Sequence, residues 1–180
     1  MIKDFTIDEE KKEDKNGIYN HCSLLNAIST GVKFTNEMSM DGDLDSSLFK
    51  ANPNGWDIRK ACTWLHSNSS PSSQHACAKF VRMAIEAGGI KTDGRPNWAW
   101  KYINYLPTIG FKGIAKVPRD KMGSFNAQPG DIAVYQKGND PSVPGHICMW
   151  TGAGWESDFK QNNMIVYQST PEAYIFRFQA

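Results

Sequence analysis

The order of local patterns along the chain constrains the fold more than any other feature. In residues 56–111 apolar side chains recur at helical spacing, whereas from residue 128 onward short apolar runs are separated by turn residues. Helices that precede a set of short strands are typical of an α+β domain with segregated layers. The sequence therefore predicts N-terminal helices packed on a C-terminal antiparallel sheet.

A helix over residues 73–87 is the clearest single element. Ser72 or Ser73 is expected to cap its start, and the pair Gly88-Gly89 is expected to end it. Spacings of three and four residues place five of its apolar side chains on one stripe. These five are Cys77, Phe80, Val81, Ala84 and Ile85. The stripe is expected to face the core, and it carries a cysteine near the start of the helix.

Weaker patterns complete the domain. Residues 56–66 and the aromatic-rich residues 95–111 are helix-like. Short strands are predicted for IAVYQ, HICMWT, WESDFK and AYIFRF, with GAG as a tight turn between the second and the third. Residues 56–180 are therefore assigned to one domain. Residues 1–55 form an N-terminal extension of unknown role, which is expected to belong to the same domain.

Charge and hydropathy exclude several classes of function. The chain has 180 residues and a net charge of +1, which argues against binding to nucleic acid. Its apolar runs fall short of the ~20 residues that a membrane span requires. The charged residues 1–16 lack the apolar segment of a secretory signal, so synthesis in the cytoplasm without a signal peptide is expected.

The cysteines and histidines give no sign of a disulfide scaffold or of a metal site. The cysteines are dispersed and form no C-x-x-C pair, and the histidines do not combine with them at the spacing of zinc ligands. The residues concerned are Cys22, Cys62, Cys77, Cys148, His21, His66, His75 and His146. We therefore expect no bound metal.

Cys77 has two features that bear on its chemistry. In the first turn of its helix it meets unpaired backbone N–H groups and the positive end of the helix dipole, which favour the nucleophilic thiolate. Because it also lies on the apolar stripe, it faces the rest of the fold. Two interpretations remain open on this basis: a catalytic nucleophile, or a thiol buried in the core.

His146 opens a predicted strand directly after Pro144-Gly145, where a side chain can reach a cleft. The hydrophobic pattern of the following hairpin favours one register. Its pairs include Thr151 with Trp155 and Cys148 with Asp158. Asp158 then lies on the same face as His146, diagonal to it and within hydrogen-bonding range, and Glu156 lies further away. A carboxylate that fixes the orientation of the imidazole is what a Cys–His pair requires.

Three motifs in this order resemble a known family. They are HACAKFVRMAIEAGG, QPGDIAVYQKG and PGHICMWTGAGWESDFKQ. Together they are similar to the CHAP and NlpC-like cysteine amidohydrolases, which are papain-like peptidoglycan hydrolases. The resemblance covers about residues 70–178. The segments GRPNWAW and W-x-S-D-F-x-Q look most like the amidase effectors that bacteria inject by type VI secretion. The resemblance implies a papain-like α+β fold.

The resemblance also implies roles for individual residues. Cys77 would be the nucleophile, His146 the general base and Asp158 the orienting third residue. The backbone N–H of Cys77, or the side chain of Gln74, would stabilise the oxyanion. Glu156 is the alternative carboxylate. Trp98 and Trp150, together with Trp100 and Tyr102, would line the substrate groove, although aromatic residues at this spacing also suit a core.

Cys62 is a rival nucleophile, because ACTWLH resembles the Cys-Thr-Trp turn of many CHAP domains. Cys77 is preferred for two reasons. Its helix ends in the Gly-Gly signal, and its separation from His146 is nearer to the usual separation in the family.

The function that this resemblance implies is hydrolysis of an amide bond in the peptide stem of peptidoglycan, without a metal or organic cofactor. An enzyme without a signal peptide would be delivered to the periplasm of a target cell by a secretion apparatus, and a cognate immunity protein would block its cleft. The alternatives are a phage endolysin, a papain-like protease or deamidase that acts on protein, and a non-catalytic binding domain.

Overall fold

The computed structural model describes residues 44–49, 55–136, 140, 142–165, 167 and 169–179. Most of the predicted N-terminal extension, including Cys22 and His21, lies outside the described residues. Cys62, Cys77 and Cys148 are free thiols.

Two helices and a five-stranded sheet form the body of the described fold. The helices are α1 (Ile58–Asn68) and α2 (Cys77–Ala87), and a short helix, α3 (Tyr102–Tyr105), follows them. The strands are β1 (Phe111–Pro118), β2 (Ile132–Tyr135), β3 (His146–Trp150), β4 (Trp155–Glu156) and β5 (Glu172–Phe178). Their order in the sheet is β1-β5-β2-β3-β4, and each neighbouring pair is antiparallel. The predicted α+β class is confirmed.

The sheet separates two apolar layers. One face, with Ile147 and Met149 of β3, packs against α1 and α2. The other face, with Cys148 and Tyr135, packs against Met122 and the segment beyond β4. This alternation along β3 follows from the two-residue period of a strand. Among the described residues, no helix is long and apolar enough to cross a membrane.

Helix α2 begins at Cys77, later than the sequence pattern predicted. Its N-cap position is Ala76, which offers no side-chain acceptor, so the predicted caps at Ser72 and Ser73 are wrong. The C-terminal prediction is confirmed, because the helix ends at Ala87 and Gly88 follows it as the C-cap. A Cβ atom on Gly88 would lie 2.3 Å from the Trp56 side chain, so the close packing there requires glycine.

Residues 95–111 do not form the single helix that their aromatic pattern predicted. Helix α3 is flanked by two 3-10 turns, Ala99–Lys101 and Leu106–Ile109. Pro107 lacks the N–H group that a continuing α-helix needs. Strand β1, which the pattern did not predict, follows directly, and its pairing with β5 is interrupted between Gly113 and Ala115. This irregularity breaks the alternation by which a strand is recognised.

The hairpin of β3 and β4 has a different register from the predicted one. Trp150 pairs with Trp155 and Met149 with Glu156, so the predicted pairs Thr151–Trp155 and Cys148–Asp158 are wrong. The Thr151 N–H donates to the Gly154 carbonyl at 3.0 Å, which closes a turn one residue shorter than expected. Because hairpin register follows turn length, each side chain of β4 changes face.

Candidate active site

The start of α2 and the start of β3 meet at a cavity of about 270 Å³. The cavity brings together the three side chains that the sequence assigned to catalysis: Cys77, His146 and Asp158. The remaining lining residues are Ser73, His75, Val143, Pro144, Gly145 and Tyr167. The structure therefore places the predicted nucleophile, base and carboxylate in one concave site.

Gly145 fixes the position of His146 at the mouth of β3. It has a φ of +70°, and a Cβ atom there would lie 2.3 Å from the Tyr135 carbonyl oxygen and 3.0 Å from Cβ of Trp100. The Trp100 N–H also donates to the Pro144 carbonyl at 3.0 Å. The loop that carries His146 is thus held between β2 and the segment before α3, in a space that only glycine fits.

Cys77 is partly exposed to the cavity, but its thiol is poorly hydrated. Burial raises the pKa of the thiol, and the negative charge of Asp158 raises it further. The backbone N–H groups of Ile147, Ala78 and Cys77 itself act in the opposite direction, without reversing the shift. At neutral pH Cys77 is therefore a thiol, and the expectation that the helix dipole favours the thiolate is outweighed by desolvation.

His146 is buried, with 4% of its surface exposed. Burial lowers the pKa of the imidazole to about 4, although the Asp158 carboxylate acts in the opposite direction. The ring is therefore neutral at neutral pH, which is the form that can accept a proton. At neutral pH, Cys77 and His146 are therefore both uncharged.

Asp158 is fully buried and holds the turn that precedes Cys77. Its Oδ2 accepts the N–H groups of Gln74 at 2.6 Å and Ala76 at 3.1 Å, and the Ser73 hydroxyl at 3.2 Å. Burial raises the pKa of this carboxyl, but these N–H groups and the Ser157 hydroxyl more than offset that effect, so the pKa lies below its ordinary value. Asp158 is thus an anionic anchor for the start of α2.

The turn that Asp158 holds contains a residue with an unusual backbone conformation. His75 has a φ of +57°, in the left-handed region that only a few per cent of non-glycine residues adopt. Its N–H donates to the Ser73 hydroxyl at 3.2 Å, and its side chain lines the cavity. The reversal of the chain at His75 directs Cys77 toward β3.

Gln161 is a residue of this site that sequence reasoning missed. Its Nε2 lies 2.7 Å from Nε2 of His146, so the hydrogen-bond partner of the imidazole is an amide and not Asp158. A signal was present, because Gln161 is the last residue of the W-x-S-D-F-x-Q segment. The wrong hairpin register instead placed the Asp158 carboxylate within hydrogen-bonding range of the imidazole.

The other residues proposed for substrate or oxyanion contacts do not line this cavity. Gln74 is exposed, and its side-chain amide donates to the Ser70 hydroxyl. Glu156 is buried and accepts the Nδ1–H of His66 at 2.8 Å. Trp150 packs on Trp155 with ring centroids 5.6 Å apart, and Trp98 lies under the ammonium group of Lys101.

Cys62, the rival nucleophile, lies in the core on the buried side of α1. It has no exposed surface, and its Sγ lies 3.7 Å from the Trp150 carbonyl oxygen. Burial raises the pKa of this thiol to about 12. Such a thiol is inert toward a substrate in the cavity.

The described residues place no group of three His, Cys, Asp or Glu side chains in a position to hold a metal ion.

The solved structures that are similar to this chain include two of a type VI effector–immunity complex. The native type VI effector–immunity complex Tae3–Tai3 from Ralstonia pickettii matches 69% of this chain and all of its own matched chain, with 26% identity and a TM-score of 0.54. The selenomethionine form of that complex matches at 31% identity over 66% of this chain and 99% of its own, with a TM-score of 0.54. The chain belongs to the Tae3 family of type VI effectors. No family model and no curated protein matches the sequence.

Membership in the Tae3 family confirms two predictions from the sequence. The papain-like α+β fold is confirmed, and so is the resemblance to type VI effectors. The comparison covers 99% or more of the matched Tae3 chains. The closer resemblance to CHAP domains stays a prediction.

Proposed function

We propose that this Tae3-family chain is an antibacterial peptidoglycan amidase, which cleaves an amide bond in the peptide stem of the cell wall. Cys77 is the nucleophile, His146 the general base and Asp158 the carboxylate of the site. The observation that carries the proposal is the meeting of Cys77 and a neutral His146 in one cavity at the junction of α2 and β3.

The reaction begins from the neutral pair. His146 takes the thiol proton as the sulfur of Cys77 attacks the amide carbonyl, and a C–S bond forms. The negative charge that develops on the carbonyl oxygen is stabilised by free N–H groups in the first turn of α2. The imidazolium then gives its proton to the amine as the C–N bond breaks, which leaves a thioester on Cys77. Water, deprotonated by His146, hydrolyses the thioester and regenerates the thiol.

Asp158 contributes in two ways. Its hydrogen bonds to the 73–76 turn hold Cys77 at the cavity. Its negative charge also stabilises the imidazolium that forms during the reaction, since it raises the pKa of His146 against the effect of burial. Asp158 thus affects His146 by electrostatic attraction and positions Cys77 through hydrogen bonds to the backbone of the preceding turn.

The proposed context is delivery by type VI secretion to the periplasm of a target cell. The two Tae3 structures are effector–immunity complexes, which supports a cognate immunity protein for this chain that blocks the cavity. The same relatives favour a secreted effector over a phage endolysin or an enzyme that acts on protein.

Digestion of purified sacculi tests the proposed function. The wild-type protein is expected to release muropeptides, whose masses identify the bond that is cut, and Cys77→Ala and His146→Ala are expected to release none. Cys62→Ala is the matched control, because it removes a thiol from the core and is expected to retain activity at a temperature at which it stays folded. A fully active Cys77→Ala protein would overturn the proposal.

A further inference from the structure

The imidazole of His146 is held on one side by a side chain that carries no charge. Nε2 of the ring lies 2.7 Å from the amide nitrogen of Gln161, which is a short hydrogen-bonding distance. The ring also has Tyr135 and Tyr167 nearby, with ring centroids at 5.8 and 6.2 Å. The titratable groups that face the imidazole from the surrounding elements are Cys77, Tyr135, Asp158 and Tyr167.

The Gln161 amide is also connected to Asp158, through the hydroxyl of Ser157. Gln161 Nε2 lies 3.3 Å from the Ser157 hydroxyl, and that hydroxyl donates to Oδ1 of Asp158 at 3.0 Å. Ser157 and Asp158 are both fully buried. Since Oδ2 of Asp158 accepts the N–H groups before Cys77, one hydrogen-bonded path connects the imidazole with the turn that carries the nucleophile.

The backbone of residues 155–161 makes this path rigid. The Gln161 N–H donates to the Trp155 carbonyl at 3.0 Å, and the Ser157 N–H donates to the Phe159 carbonyl at 3.0 Å. The Ser70 N–H donates to the Asp158 carbonyl, also at 3.0 Å. The tight turn after β4 therefore fixes the side chains of Ser157, Asp158 and Gln161 relative to one another.

We propose that Gln161 is a positioning residue for His146, and that Ser157 links it to Asp158 so that base and nucleophile are held by one network. This inference rests on the proposed function. With Nε2 bound to Gln161, the other ring nitrogen, Nδ1, is the one that receives the thiol proton. Nδ1 is free to do so when the ring proton lies on Nε2.

An amide suits this position because it can both donate and accept. Among the described residues, Oε1 of Gln161 is buried without a hydrogen-bond partner. Rotation of the amide by 180° brings this oxygen against the ring, where it accepts Nε2–H, and the Ser157 hydroxyl then donates either to the same oxygen or to Asp158. Because an amide has no charge, it orients the ring while stabilising the imidazolium less than a carboxylate in the same place would, and burial keeps the pKa of His146 low.

Three substitutions and a control test the inference through the steady-state kinetics of muropeptide cleavage. Gln161→Ala is expected to lower kcat by about 10- to 100-fold, with KM changed less than about two-fold, because the base loses its orientation and not its substrate. Ser157→Ala is expected to give a smaller decrease in kcat. Asn162→Ala, at the exposed neighbouring position, is expected to behave as wild type.

Gln161→Glu separates a positioning role from a merely structural one. It keeps the shape of the side chain but places a carboxylate on the ring, so the acid limb of the kcat/KM profile is expected to move upward by about one pH unit or more. This variant also keeps the test valid if Gln161→Ala does not fold. Wild-type kcat in Gln161→Ala, or an unmoved acid limb in a folded Gln161→Glu protein, overturns the inference.

The variants that test the proposed function differ from those that test the positioning role of Gln161. If Cys77→Ala and His146→Ala are inactive and the Gln161 variants behave as wild type, only the positioning role fails. If Cys77→Ala is active, the proposed function itself fails.

Discussion

At the scale of single residues, the charge state of Cys77 and His146 determines how the site can work. Burial raises the pKa of the thiol and lowers that of the imidazole, so each group resists the charged form. A thiolate–imidazolium pair is therefore not the resting state. In the proposed mechanism, proton transfer therefore accompanies attack on the substrate, and the imidazolium exists only while Asp158 and the reacting groups stabilise it.

This charge state predicts the acid limb of the pH profile. His146 must be neutral to accept a proton, and its pKa is lowered from 6.5 to about 4. Since kcat/KM reports the free enzyme, it is expected to rise through about pH 4 and to be level by pH 6. The measurement is kcat/KM on a soluble muropeptide between pH 3 and pH 8, with stability checked at each pH. A limb centred near the ordinary histidine pKa would contradict the desolvated geometry.

Replacement of Asp158 is predicted to lower the stability of the protein as well as its activity. Asp158→Asn removes the charge that accepts the N–H groups of Gln74 and Ala76, and is expected to lower the free energy of unfolding by about 2 kcal/mol at neutral pH. Because the pKa of Asp158 is lowered in the folded state, its contribution is present above the unfolded pKa and is lost as the pH falls through the folded one.

Urea unfolding at several pH values checks this expectation. The difference between the wild type and Asp158→Asn should shrink as the solution becomes acidic. Asp120→Asn, at an exposed position, is the control and should have almost no effect. An equal difference at all pH values would show that charge is not the cause.

At the scale of elements, local patterns predicted which segments are helices and strands but not where their ends lie. Helix α2 was recognised from its apolar stripe, but its start depends on Asp158, which is distant in the sequence and takes the N–H groups of the 73–76 turn. The hairpin was recognised from its alternation, but its register depends on the hydrogen bond between Thr151 and Gly154. The first contact is distant in the sequence, and the second fixes a turn length that the GAG motif alone does not specify.

The loop before β3 allows a matched test of glycine at the site. Gly145 and Gly94 both have a φ of +70°, but a Cβ atom meets the Tyr135 carbonyl at Gly145 and nothing within 4 Å at Gly94. Gly94→Ala is expected to lose only the ~1–2 kcal/mol of left-handed strain and to keep its activity. Gly145→Ala is expected to be less stable and to lose about 100-fold in kcat, because His146 is displaced.

Thermal unfolding and muropeptide kinetics on the two alanine variants measure these effects. Equal stability and equal kcat for Gly94→Ala and Gly145→Ala would mean that the close contact with Tyr135 and Trp100 does not position the base.

At the scale of the whole molecule, the sequence predicted the three side chains assigned to catalysis better than the other residues that line the cavity. Cys77, His146 and Asp158 lie together as their motifs indicated. His75 and Tyr167 were missed because the loops that bring them to the cavity have no regular period. Trp155 was misplaced because a one-residue change in register moves each side chain of β4 to the opposite face of the sheet, where Trp155 packs on Trp150.

A buried hydrogen-bonded pair connects α1 with the strand that leads to the site. The Nδ1–H of His66 donates to Oε1 of Glu156 at 2.8 Å, and Glu156 is 2% exposed. Among the described residues, its Oε2 is buried without a partner. Asp158 and Gln161 follow Glu156 closely in the chain, so this pair fixes α1 against the segment that organises both reacting groups.

Removing one member of this pair is expected to destabilise the molecule without altering the chemistry. His66→Ala leaves the Glu156 carboxylate buried and unpaired, which should lower the free energy of unfolding by about 3 kcal/mol. Replacing both members, as in His66→Leu with Glu156→Met, should restore most of that stability, because the buried charge is then absent. Urea unfolding compares the three proteins.

Since neither residue lines the cavity, kcat at a temperature at which all are folded should stay within about three-fold of wild type. A His66→Ala protein of normal stability but low kcat would instead assign His66 and Glu156 to the catalytic machinery.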